Sequence, residues 1–163
     1  MARLGRLGNI IDKAEAATKE SLIWRKQHPT MGAMKASDLQ TGEPVYAKAI
    51  GYLQYIDVPA LQKIAEDFDL KINIISLPGK FLTPDQPIAY IEKSNNNDIK
   101  LAVVDILNAF TIDDDRVIDE DPRFGLIILS EIGSRALSSA VNDPGTAIDI
   151  IESFIRLFSI WVD

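Results

Sequence analysis

From Arg3 to Trp24 the chain has no proline, and Leu4, Leu7, Ile11, Ala14 and Thr18 return at alternating steps of three and four. That period predicts a helix, and its narrow apolar seam is that of a coiled-coil strand more than the broad face of a core helix. The seam allows two readings, a stalk that meets another chain or a helix lying on its own domain. Gly5 and Gly8 weaken the first turns. His28-Pro29 ends the helix, and Thr30 to Pro44 is a connecting segment of mixed polar residues with little periodicity.

The period then changes. Val45 to Tyr55 is rich in β-branched and aromatic residues and reads as a strand, with Gly51 as a candidate bulge. Asp57-Val58-Pro59 starts a helix, because Asp57 can accept from an orphan N–H and Pro59 falls where its missing donor costs nothing. Leu61, Ile64, Ala65 and Phe68 form its buried stripe, and Leu70 to Leu77 returns to a strand. Pro78-Gly79, a short strand, Pro84 to Pro87 and a longer strand follow, a layout similar to the hammerhead turns of barrel-sandwich carrier domains. No lysine stands at the hairpin tip, so carrier chemistry is not expected.

After the polar break at 94–97, Asp98 can cap a helix to Phe110, and Thr111 to Pro122 reads as an acidic connector. Phe124 to Ala140 is an apolar helix. Asn142-Asp143-Pro144-Gly145-Thr146 opens the last one, in which Ala147, Ile150, Ile151, Phe154, Phe158 and Trp161 make one apolar stripe of the kind that also suits contact with another chain. The expected fold class is α+β. A helical arm and linker over 1–44 precede a domain over 45–163, which holds a small mixed or barrel-sandwich-like sheet with an inserted helix at 45–92 and a helical layer at 98–163.

Composition narrows the function classes. The 163 residues are 47% hydrophobic and 25% charged, values of one globular domain, and there is no Cys. Disulfides, thiolate chemistry and cysteine-ligated metals are thereby excluded. No apolar run reaches the roughly 18 residues of a membrane span, so the segment reads as soluble. Residues 1–50 carry 8 basic against 5 acidic groups and the rest 9 against 19, a balance of +3 followed by −10. The acidic bulk argues against nucleic acid, and the basic lead suits an anionic membrane surface.

The candidate chemistry is thin. Asp113 to Asp115 and Asp119 to Asp121 supply six carboxylates, but without the spacing or central Gly of a calcium loop, and they read as a solvated acidic loop with no metal. His28 is the only histidine, which rules out a His-rich centre. The densest polar constellation runs from Arg135 through Ser138, Asn142 and Asp143 to Thr146. Capping explains most of it, with Asp143 as N-cap and Pro144 in the first turn. Arg135 has two readings: it closes the carbonyl end of its helix, or it converges with the next helix's N–H groups on an anion.

Arg135-Ala136-Leu137-Ser138 with Asn142-Asp143-Pro144 and Thr146-Ala147 has a pattern around it. Gly51 to Asp57, Pro78-Gly79-Lys80-Phe81, Arg116 and Asp121 to Gly125 complete that pattern, and the whole resembles the bacterial family catalogued as domain of unknown function 2254. Ser139, Gly145 and the Asp113 to Asp115 run depart from it. The resemblance implies a predicted membrane protein whose N-terminal transmembrane helices precede a soluble region like this one, at the inner (cell) membrane. The basic first fifty residues then place the domain on the cytoplasmic side. The expected function is a non-enzymatic module for assembly or regulation of the transmembrane part, which is its expected partner together with further copies of itself, without cofactor or nucleic acid. The alternative is an anion or small-molecule sensor built on Arg135, Ser138, Asn142, Asp143, Thr146 and Arg116, its ligand unspecified.

Overall fold

The computed structural model describes residues 2–35, 41–93 and 99–162. By its internal contacts the chain groups into two compact units, one of Met1–His28 with Val117–Asp163 and one of Pro29–Arg116. The fold is α+β, as the change of period along the sequence predicts.

Among the described residues, the 29–116 unit carries all the strands. β1 (Glu43–Tyr46), β5 (Pro87–Lys93) and β3 (Leu70–Ile74) form one three-stranded sheet in that order, and β4 (Phe81–Leu82), β2 (Gly51–Ile56) and β6 (Phe110–Asp113) form the other. Every pair is antiparallel and neither sheet closes, so the mixed or barrel-like sheet expected from the turns is two small open sheets. The single strand expected over Val45 to Tyr55 is split, because β1 and β2 belong to different sheets. β6 starts at Phe110, which the sequence reads as the end of a helix, and runs on into what it reads as an acidic connector. Its Phe110 is fully buried and Ile112 half-buried, while Thr111 and Asp113 point outward, so only two apolar residues announce it.

The extra residue in β2 is at Gln54, where the pairing with β6 shifts between Leu53 and Tyr55. Gly51 serves a different need. Its φ is +152°, and a Cβ there would stand 2.5 Å from the carbonyl oxygen of Asp113 on the paired strand, so only glycine lets the two backbones close.

α2 (Val58–Phe68) starts as predicted: Asp57 Oδ1 accepts from the Ala60 N–H at 2.9 Å, with proline in the first turn. α3 (Ile99–Asn108) follows β5; Asp98 and the break at 94–97 lie outside the described residues. Leu53, Leu82, Ile88, Ile91, Ile106 and Phe110 are the fully buried centre of this unit.

The described residues of the other unit form three helices, α1 (Ala2–Gln27), α4 (Pro122–Ala136) and α5 (Pro144–Val162), with short connecting segments. Ile11, Ala14 and Leu22 of α1 pack with Leu129 of α4 and with Ile150 and Leu157 of α5. Between the two readings of the α1 seam, the helix lying on its own unit is the one observed, since Ile11, Ala14 and Thr18 are all buried. Leu4 and Leu7 are outside the described side chains. A small residue sets the approach of α1 and α4, because a Cβ on Gly125 would lie 2.8 Å from Thr18 Cβ and nearer still to its hydroxyl. Thr18 itself donates back to the Ala14 carbonyl at 2.6 Å, which is how a fully buried hydroxyl avoids an unpaired donor.

Candidate functional site

The constellation singled out in the sequence is the corner between α4 and α5. Ser138 turns back on α4, with its N–H and its Oγ both donating to the Arg135 carbonyl at 3.2 and 2.7 Å. The Ser138 carbonyl accepts from the Val141 and Asn142 N–H groups at 3.1 and 2.8 Å. Asn142 stands at φ +48°, a left-handed conformation that asparagine tolerates better than most residues. That bend lets the Asp143 N–H reach the Ala136 carbonyl at 2.8 Å.

Asp143 then begins α5. Its Oδ1 accepts from the Thr146 N–H at 3.2 Å and its Oδ2 from the Thr146 hydroxyl at 2.7 Å. The Thr146 hydroxyl first, then the N–H groups of Thr146 and Gly145, hold the Asp143 carboxyl below the usual carboxylate range. A carboxylate of the chain itself therefore sits where an external anion would meet the helix N-terminus.

Five of the six candidate residues thus share one corner. Arg135 is exposed, and its guanidinium takes no hydrogen bond or ion pair among the described residues. The sixth, Arg116, belongs to the 29–116 unit, where its guanidinium lies 5.8 Å from the centre of the Tyr52 ring, itself edge-on to Phe81.

Two polar networks in the helical unit have no local signature in the sequence. Glu15 of α1 accepts from Arg156 Nε at 2.6 Å and Nη2 at 2.8 Å, and from the fully buried Ser153 hydroxyl at 2.5 Å. The Arg156 guanidinium, helped by Ser153 and against the pull of burial, lowers the Glu15 carboxyl to about 2. Near the other end of α1, Ser21 Oγ and Arg25 Nη2 donate to the carbonyls of Asp119 and Glu120 at 2.8 and 2.7 Å. Burial lowers the Arg25 guanidinium and raises the Glu120 carboxyl, each opposed by the other's charge at 3.9 Å. Asp121, 1% exposed, accepts from Arg123 Nε at 3.0 Å. Asp113 to Asp115 and Asp119 are exposed, as a solvated loop requires, but Glu120 is half-buried and Asp121 buried, and α1 donates to the backbone of the second run from almost a hundred residues away. Sequence spacing could not have paired residues so far apart.

Other chemistry is limited. Among the described residues no group of three or more His, Asp or Glu is placed to hold a metal. Lys80 Nζ donates to Ser76 Oγ at 3.1 Å, the pairing a serine–lysine nucleophile would need, but Ser76 is fully buried and bonds on to the Pro87 carbonyl. The contact ties the turn to β5, out of reach of a substrate.

The largest unexplained feature is on α5. Ala147, Ile150, Ser153 and Leu157 are buried against the other two helices, whereas Ile148, Ile151, Ile155, Phe158 and Trp161 are between 53% and 65% exposed and Val162 is 85% exposed. The single stripe read from the sequence is thus two seams, and one of them is uncovered. No helix among the described residues is long and apolar enough to cross a membrane.

Known proteins give the wider context. No solved structure matches this chain. The uncharacterized protein Mb1321c of Mycobacterium bovis and the uncharacterized protein Rv1290c of Mycobacterium tuberculosis are each 27% identical to it over 123 residues. The match covers 72% of this chain and 23% of each relative, so the chain corresponds to less than a quarter of their length. A family model described as predicted membrane protein, DUF2254, matches residues 1–163. With that match over its whole length, the chain belongs to the DUF2254 family of predicted membrane proteins.

Proposed function

We propose that this chain is a non-catalytic module of a bacterial membrane protein, held on the cytoplasmic side, that serves assembly or regulation of the transmembrane part. The observation that carries it is the uncovered apolar seam of α5, in a unit whose polar clusters are otherwise spent on its own packing. A contiguous exposed seam of large apolar side chains marks a contact surface. Sidedness rests on the +3 balance of the first fifty residues.

The test is made in a full-length protein of the family, compared with one lacking this region. Loss of the parent's assembly mass in detergent, or a lower melting temperature of its membrane part, is the expected result. Unchanged mass and melting would sink the proposal.

A second reading, an anion sensor at the α4–α5 corner, is favoured by one observation, the exposed Arg135 guanidinium with no partner among the described residues. It requires phosphate or sulfate to raise the melting temperature of the parent and to leave that of Arg135→Ala unmoved. The Asp143 carboxylate already at the helix start works against it.

A further inference from the structure

Ile148, Ile151, Ile155, Phe158 and Val162 follow each other at steps of three, four, three and four, the a and d spacing of a helix that packs along a second helix. Their side chains are exposed along α5, with Trp161 beside them. At roughly 200 Å² for each fully exposed large apolar side chain, the six residues present about 700 Å². That exceeds the ~300–600 Å² of the largest apolar patch on an ordinary monomer and approaches the ~800 Å² each partner gives to a stable interface.

We propose that this seam pairs with the same seam of a second copy of the chain, the two α5 helices lying antiparallel about a two-fold axis. The inference rests on the assembly reading above and names its partner. Helix dipoles oppose favourably in that orientation. Parallel packing would set the Asp149 and Glu152 carboxylates of one copy beside those of the other, whereas antiparallel packing offsets them along the seam. A membrane surface is a poorer occupant, because an interfacial helix carries a polar face rich in Lys and Arg. α5 has one basic residue, and Glu15 already holds it in two hydrogen bonds.

Sedimentation velocity of the chain over a concentration series tests the pairing. We expect a reversible dimer whose Kd rises about 100-fold or more in the Ile151→Glu/Ile155→Glu variant, with the circular dichroism spectrum unchanged because both side chains point away from the core. The absence of cysteine makes any introduced thiol the sole labelling point. A spin label at Glu152→Cys should read a shorter distance between copies than one at Val162→Cys; equally short distances would overturn the antiparallel arrangement. A monomer at every concentration overturns the pairing, as does a dimer indifferent to the two glutamates. Neither result touches the assembly reading, which stands or falls on the full-length comparison.

Discussion

Glu15 is the residue on which α1 and α5 meet. Two bonds from Arg156 and one from Ser153 favour its charged form, and they outweigh the cost of its partial burial. Its folded pKa of about 2 lies below the ordinary value of 4.5, so the folded state binds fewer protons than the unfolded one. The stabilisation is therefore complete above about pH 4.5 and is lost as pH falls toward 2. Glu15→Gln should cost about 1–2 kcal/mol at neutral pH, toward the lower part of the range for charged hydrogen bonds because Arg156 is more than half exposed. Urea midpoints of parent and variant, measured from pH 6 down to pH 2, should converge at the acid end. A constant gap would mean that packing, not charge, carries the effect.

Asp143 is the other residue whose role has a direct readout. It accepts both the N–H and the hydroxyl of Thr146, and Asp143→Ala leaves that N–H without its acceptor. The expected loss is about 1 kcal/mol, the usual worth of an N-cap, seen as a lower denaturation midpoint. This role is legible in the sequence, because the cap and the donor it serves stand three positions apart and the Pro144 between them marks the first turn. The role of Glu15 is not, because Arg156 is 141 positions away and nothing in either neighbourhood singles out the other.

At the scale of elements, α5 is a helix with two apolar seams of opposite fate. Leu157, 1% exposed among α1 and α4, and Ile155, 65% exposed, stand two positions apart with the same kind of side chain. Leu157→Ala should cost about 2–5 kcal/mol by opening a cavity. Ile155→Ala should change stability by less than about 0.5 kcal/mol when measured dilute enough to keep the chain monomeric. Thermal melts of the two variants give the comparison, and similar losses would mean that the outer seam is covered. α1 makes the complementary point. Its period alone cannot separate a stalk from a packed helix, since both want a residue every three or four positions, and the approach of Gly125 to Thr18 identifies the packed one.

At the scale of the molecule, the helical unit takes its three helices from both ends of the sequence, while the 29–116 unit is one uninterrupted segment with its own buried centre. The segment 29–116 expressed alone should therefore unfold in a single cooperative transition, followed by circular dichroism. A gradual, non-cooperative melt would show that its core depends on the rest of the chain.

Local period and local chemistry determined the α+β class, the start of α2 at Asp57, the α4–α5 corner and the apolar character of α5, because each depends on residues within a turn or two of each other. Tertiary structure decided the rest. It divided Val45 to Tyr55 between two sheets, made a strand of Phe110–Asp113 and packed Asp121 away from water. It also left one seam of α5 bare while burying the other. In each case the deciding partner lies far along the chain, and burial is a property of which surfaces meet, which no local window of sequence contains.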